Sequence, residues 1–135
     1  MGDIERISIS FSKFLLEEID RLINEKGYSS RSELIRDAVR KMILENNTLD
    51  REGIINGIII VVYYPTKENL DTMSKLYFEY HNLIKSVNQG YITTQCGKNM
   101  KVEMFIVEGK GKEIKNFYES IKKLNKKIYD KIVVF

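Results

Sequence analysis

The first residues of the chain carry a strand pattern that has no partner nearby in the sequence. Residues 5–11, ERISISF, alternate strictly, with Ile7, Ile9 and Phe11 on one face. Such alternation predicts a half-buried strand. A single strand leaves its backbone donors and acceptors unpaired, and the helical segments that follow supply no second strand. The chain therefore needs a second copy, whose identical strand pairs antiparallel across a two-fold axis.

Two helices are predicted to follow this strand. From Ser12, the predicted N-cap, apolar residues recur with a 3.6-residue period until Gly27, the predicted stop. A second helix is predicted over about residues 31–46, and its start reads Ser-Arg-Ser-Glu, a capping box. The polar stretch 46–52 breaks the periodicity and predicts a linker. Residues 1–48 are thus expected to form the first domain.

The second half of the chain predicts a separate domain over residues 53–135. Its apolar, β-branched opening run predicts a buried strand that Pro65 ends. The remaining predicted elements are a helix at about 67–88, strands at about 89–95 and 101–108, a helix at 111–125 and a strand at 128–135. The order β-α-β-β-α-β is that of the ferredoxin-like fold, so the fold class is α+β.

The composition excludes some classes of protein but does not by itself indicate a function. Residues 1–50 hold 8 Lys and Arg against 10 Asp and Glu, so the excess of positive charge lies in the second half. A case for nucleic acid must therefore rest on local patterning rather than on net charge. The single cysteine excludes an internal disulfide, and no apolar run approaches the roughly 18 residues of a membrane span. With a polar, charged start, these features lead us to expect a cytoplasmic protein.

The polar face of the predicted strand suits DNA. Arg6, Ser8 and Ser10 would project from both copies of a two-stranded ribbon, which fits the major groove. Arginine can grip a guanine edge with two hydrogen bonds, and serine hydroxyls can donate or accept at base edges. Phosphates could be held at the start of the second helix, by Ser30 and Arg31. The alternative is an ordinary edge strand whose polar side chains contact only water.

These segments resemble a known family. GYSSRSELIRDAVR (residues 27–40) is close to the GYxNRSEAIRD segment of the nickel-responsive repressor (NikR) family. That family joins a ribbon-helix-helix DNA-binding domain to a βαββαβ, ACT-like domain, and the resemblance covers nearly the whole chain. It implies base reading by Arg6, Ser8 and Ser10 and phosphate contacts at Ser30 and Arg31.

The resemblance also implies metal positions, and here the chain departs from the family. Glu33 and Asp37 match two acidic positions that hold a secondary cation in the family; the alternative, which we favour, is a capping carboxylate plus an exposed charge. The family's nickel site uses three histidines and one cysteine, shared between two subunits. The three histidine positions are occupied by Phe78, Gln89 and Tyr91. The cysteine position is ambiguous: Cys96 lies close to it, but alignment on the segment KVEMFIVEGKG places Lys101 there.

A nickel site from the matched positions is therefore not expected, since phenylalanine has no donor atom and glutamine, tyrosine and lysine are poor nickel ligands. The effector, if one exists, is left open. His81 and Cys96 are the remaining soft ligands, either as an exposed helix histidine and a turn cysteine or as a copper or zinc site between subunits.

The expected function is a DNA-binding transcriptional regulator, a repressor, that binds double-stranded operator DNA. The N-terminal strand would build a homodimer and the C-terminal domain a homotetramer. The alternatives are a metal-responsive regulator with a non-standard site, an antitoxin-type autoregulator, or a small-molecule-binding or oligomerisation protein. No catalytic constellation is present, so an enzyme is not expected.

Overall fold

The computed structural model describes residues 3–135. Its elements are α1 (Lys13–Lys26), α2 (Arg31–Asp50), β1 (Ile54–Tyr63), α3 (Lys67–Glu79), β2 (Ile84–Thr93), β3 (Asn99–Lys110), α4 (Gly111–Lys122) and β4 (Lys127–Val134). The described chain divides into two compact units, with the boundary between Ile43 and Leu44. Residues 1 and 2, with which the predicted first domain begins, lie outside the described residues.

The ends of α1 follow from two residues. The Ser12 hydroxyl accepts a hydrogen bond from the backbone N–H of Leu15 at 3.2 Å, as an N-cap should. At the other end Gly27 adopts a φ of 75°, and its N–H donates to the carbonyl of Ile23 at 3.0 Å. A left-handed residue at this place suits glycine and ends the helix. Both predicted caps are confirmed.

Helix α2 begins as predicted but runs further. The Ser30 hydroxyl accepts from the Glu33 backbone N–H at 3.1 Å, which is one half of the predicted capping box. The helix continues to Asp50, so the prediction of a linker at 46–52 is wrong over its first five residues. Residues 46–50 are mostly polar, but they contain neither glycine nor proline, the two residues that disfavour a helix most. Their polarity alone does not end the helix.

Residues 3–12 have no regular secondary structure, so the strand predicted at 5–11 is not formed within the single chain. A strand exists only through hydrogen bonds to a neighbouring strand, and the first unit holds none in the part that the structure describes. The apolar side chains of the segment stay accessible: Ile7 is 80% exposed and Ile9 is 56% exposed.

The second unit is a four-stranded antiparallel sheet in the order β2-β3-β1-β4. With α3 and α4 this gives the predicted β-α-β-β-α-β order, so the α+β, ferredoxin-like fold class is confirmed. The core lies between the helices and one face of the sheet. It contains the odd-numbered residues of β1 from Ile55 to Tyr63, apart from Gly57, together with Phe105, Phe117 and other apolar side chains.

The predicted boundary between α3 and β2 is wrong. The helix was expected over 67–88 and the strand over 89–95, but α3 ends at Glu79 and β2 begins at Ile84. Leu83 and Ile84 continue the helical spacing of apolar residues, which explains the error. In the structure Leu83 is buried in the core, and Val87 pairs with Phe105 across the ladder.

Candidate DNA interface and metal positions

The predicted base-reading residues are exposed. Arg6, Ser8 and Ser10 all lie in the segment before α1, and their side chains reach solvent. On the other side of this segment, Ile9 and Phe11 line a groove together with Leu16, Ile19 and Ile35. The groove has a volume of about 260 Å³. The polar side chains are thus exposed, while Ile9 and Phe11 border the groove and Ile9 stays more than half exposed.

Helix α2 has no buried residue over its 20 positions. Its exposed apolar side chains include Val39, 49% exposed, and Met42, 71% exposed. In the whole first unit, among described residues, Ile19 is the one buried apolar side chain. A unit with so little core offsets little of the entropy of ordering its chain, and most of its apolar side chains are left accessible.

The predicted phosphate-contacting turn is already engaged within the chain. The Arg31 guanidinium forms two hydrogen bonds of 2.9 Å with the Asp20 carboxylate, and it holds the pKa of that carboxyl below its ordinary value. Both side chains are about half exposed, so the pair is accessible to solvent ions. The Ser30 hydroxyl oxygen serves as the helix cap, which leaves its O–H able to donate.

The two acidic positions of the predicted secondary cation site have separate partners. Asp37 accepts a hydrogen bond from the Tyr28 hydroxyl and lies 3.1 Å from the Lys41 ammonium group. These two contacts hold the pKa of Asp37 below its ordinary value. Glu33 instead lies 3.7 Å from Arg36. A lysine of the chain itself therefore supplies the cation at Asp37.

The four positions matched to nickel ligands lie in two places. Phe78 is on the last turn of α3 and is 80% exposed. Gln89 and Tyr91 lie on β2, opposite Glu103 and Lys101 of β3 respectively. The Lys101 ammonium is 3.8 Å from the Glu103 carboxylate. No group of three or more His, Cys, Asp or Glu side chains able to hold a metal occurs among residues 3–135 of one chain.

The two soft ligands lie apart. His81 is in the turn before β2 and its Nδ1 is 2.8 Å from the Phe78 carbonyl oxygen, whereas Cys96 is in the exposed turn after β2. Ten residues of strand separate these turns, which corresponds to about 30 Å. Within one chain they cannot share a metal ion.

Sequence reasoning missed Glu103. This carboxylate is 3% exposed and accepts a hydrogen bond from the buried Tyr63 hydroxyl at 2.5 Å. Burial and the adjacent carboxylate raise the pKa of Tyr63, so the phenol keeps its proton and acts as the donor. In the segment KVEMFIV the all-apolar face is that of Val102, Met104 and Ile106, whereas the structure buries the opposite face, with Glu103 and Phe105. The large aromatic Phe105, two residues after Glu103, was the one sign of this in the sequence.

Two family descriptions match this chain. "Ribbon-helix-helix protein, copG family" matches residues 5–45, and "NikR C terminal nickel binding domain" matches residues 56–130. The fold and these matches define a ribbon-helix-helix transcriptional regulator with an ACT-like C-terminal domain. The chain belongs to the nickel-responsive regulator (NikR) family.

Relatives agree with this membership. The chain is 65% identical over its full length to an uncharacterized transcriptional regulator of Methanocaldococcus jannaschii, which it also covers completely. It is 33% identical over 119 residues to a candidate nickel-responsive regulator of Methanothrix thermoacetophila, covering 87% of this chain and 82% of that protein. Among solved structures, an uncharacterized protein of Thermotoga maritima has a TM-score of 0.51 at 10% identity, covering 62% of this chain and 99% of that one. That likeness concerns the fold alone.

No helix among the described residues is long and apolar enough to cross a membrane.

Proposed function

We propose that this regulator binds operator DNA as a repressor, through a ribbon formed by residues 5–11 of two chains. The observation that supports this proposal best is the small core of the first unit: α2 has no buried residue, and Ile7 and Ile9 remain largely exposed. Antiparallel pairing of the two segments would satisfy their backbone groups and cover these side chains. Arg6, Ser8 and Ser10 would then face the major groove and read bases.

The proposed phosphate contacts involve an exchange of partners. Arg31 would release Asp20 and bind a DNA phosphate, while the Ser30 O–H donates to the same backbone. Both Arg31 and Asp20 are exposed, so the ion pair that is lost contributes little stability. At Asp37, the Lys41 ammonium already does what a secondary cation would do, and we propose that no metal is needed there.

The C-terminal unit would build a tetramer through the sheet face that its own helices leave uncovered. Ile58 pairs with Ile106 on one side and with Val133 on the other, and cross-strand partners project on the same face. Ile106 and Val133 are 44% and 45% exposed. Apolar side chains that are contiguous over three strands are typical of an interface.

We propose further that nickel is not the effector at the matched positions. Phe78 has no donor atom, and Lys101 would have to lose its proton and its contact with Glu103 before it could bind a metal. The second candidate is a metal site between subunits, built from His81 of one chain and Cys96 of another, since the two turns lie too far apart within one chain. Neither the nickel-independent regulator nor the metal site between subunits includes a catalytic group, so we do not propose enzymatic activity. Because its ligand is operator DNA, we expect the protein in the cytoplasm.

Base reading is tested by Arg6→Ala in a footprint on the upstream region of the protein's own gene. Loss of a two-bond contact to guanine should cost about 1–3 kcal/mol of discrimination between operator and mutated operator. Arg40→Ala removes the same charge from an exposed position of α2 and should leave discrimination unchanged. An unaltered sequence preference in Arg6→Ala would contradict the assignment. The same assay with EDTA or nickel tests the effector, because binding that requires nickel would refute metal independence.

A further inference from the structure

A buried charge lies between α3 and the sheet of the C-terminal unit. Glu103 is 3% exposed, and one of its oxygens accepts the hydrogen bond from Tyr63. The Lys101 ammonium lies 3.8 Å from its other oxygen. An ionised carboxylate in the interior is unfavourable unless an opposite charge and hydrogen bonds compensate it. Lys101 is the cation that provides this compensation.

The sheet register fixes the position of that cation. Lys101 lies between Tyr63 of β1 and Tyr91 of β2, as their direct partner on both sides. Its ammonium nitrogen is 6.0 Å from the centre of the Tyr91 ring, within range of a cation–π interaction. The Lys101 side chain is only 12% exposed. The ammonium group is therefore held between a carboxylate and an aromatic face rather than dissolved in water.

The same place contains three of the four positions matched to nickel ligands. Gln89 pairs with Glu103, and Tyr91 pairs with Lys101. Gln89, Lys101 and Glu103 line a cavity of about 310 Å³ beside α3. These residues do not offer the imidazole and thiolate donors that nickel requires, but they hold one positive charge at the site.

We propose that Lys101 is the built-in cation of the C-terminal unit, which takes the place of a bound metal and keeps the regulator able to bind operator DNA without one. This inference rests on the proposed metal-independent function. Lys101 acts as a positioning residue: it compensates the charge of Glu103, which accepts from Tyr63 of β1, and it contacts the Tyr91 ring of β2. A regulator built in this way has no metal to lose, so its C-terminal unit is ordered under chelation.

The test compares Lys101→Met with Lys112→Met in the full-length protein in EDTA. Lys112 is exposed on α4, so both variants lose one positive charge per chain. Removal of one partner of a buried pair should lower the melting temperature by about 10 °C in Lys101→Met and by less than about 2 °C in Lys112→Met. Operator affinity should fall about tenfold more in the first variant than in the second.

A double variant separates charge pairing from simple loss of packing. Lys101→Met with Glu103→Gln removes both charges, while the glutamine carbonyl can still accept from Tyr63, so at least half of the lost melting temperature should return. Equal melting of the two single variants, or a double variant that melts as low as Lys101→Met, would overturn the inference. A wild-type requirement for nickel in DNA binding would overturn the proposed function instead. The melting temperatures in EDTA measure the contribution of the Lys101–Glu103 pair to stability, whether or not DNA binding requires nickel.

Discussion

Replacing Ile9 by alanine tests whether the segment before α1 pairs with a second chain. Ile9 is 56% exposed in the single chain, and it lines the groove over α1 and α2. The substitution removes three carbon atoms, worth about 0.8 kcal/mol each when fully buried. Because Ile9 is 56% exposed, a partner chain can bury about that fraction of its side chain. The corresponding share of the burial energy is about 1.3 kcal/mol per chain. Two chains give about 2.7 kcal/mol per pair, or about a 100-fold change in the pairing constant.

Backbone hydrogen exchange over Lys13–Lys26 measures this change in the assembled protein. Exchange reports the free energy of local opening, so α1 amides that open when the ribbon separates should exchange about 100-fold faster in Ile9→Ala. Ser8→Ala is the matched control, since Ser8 lies on the opposite face of the segment. Its exchange in α1 should equal that of the wild type. Equal exchange in both variants would show that Ile9 faces solvent in the assembly, which would contradict pairing of the two segments.

Two further variants test local features of the fold. Gly111→Ala would place its Cβ 1.7 Å from the carbonyl oxygen of Leu49, so the last turn of α2 must shift; thermal unfolding should show a loss of about 1–3 kcal/mol. Gly90→Ala, where nothing lies within 4 Å of the new Cβ, should cost little, and equal losses would refute the steric explanation. Ser12→Ala removes the α1 cap and should cost about 1 kcal/mol in the same measurement, whereas an unchanged melting temperature would show that the cap is dispensable.

Local chemistry made the helix ends of the first unit predictable. Ser12 and Gly27 act through neighbours within four residues, and such contacts are encoded in a short window of sequence. The end of α3 was not predictable in this way. Leu83 and Ile84 fit a helical period as well as they fit a strand, and the decision between them comes from pairing of β2 with β3.

The candidate site divides along the same line. Alternation along one segment predicts that Arg6, Ser8 and Ser10 share a face. In the single chain no strand is formed there and residues 3–10 are all exposed, so this face stays a prediction. The Tyr63–Glu103 hydrogen bond joins residues 40 positions apart, and no local pattern indicates that a strand will place a carboxylate on its buried side. Likewise, the Arg31–Asp20 pair depends on how α1 and α2 pack, which spacing does not specify.

The open apolar surface of α2 has a consequence for how much regulator a cell must make. If this surface is covered only when two chains pair, few chains are paired at low concentration. The concentration of pairs rises with the square of the concentration of free chains. Repression would then switch on over a narrow range of expression rather than in proportion to it. A protein that also represses its own gene would hold its level near that threshold, and a modest change in synthesis or degradation would move operator occupancy sharply.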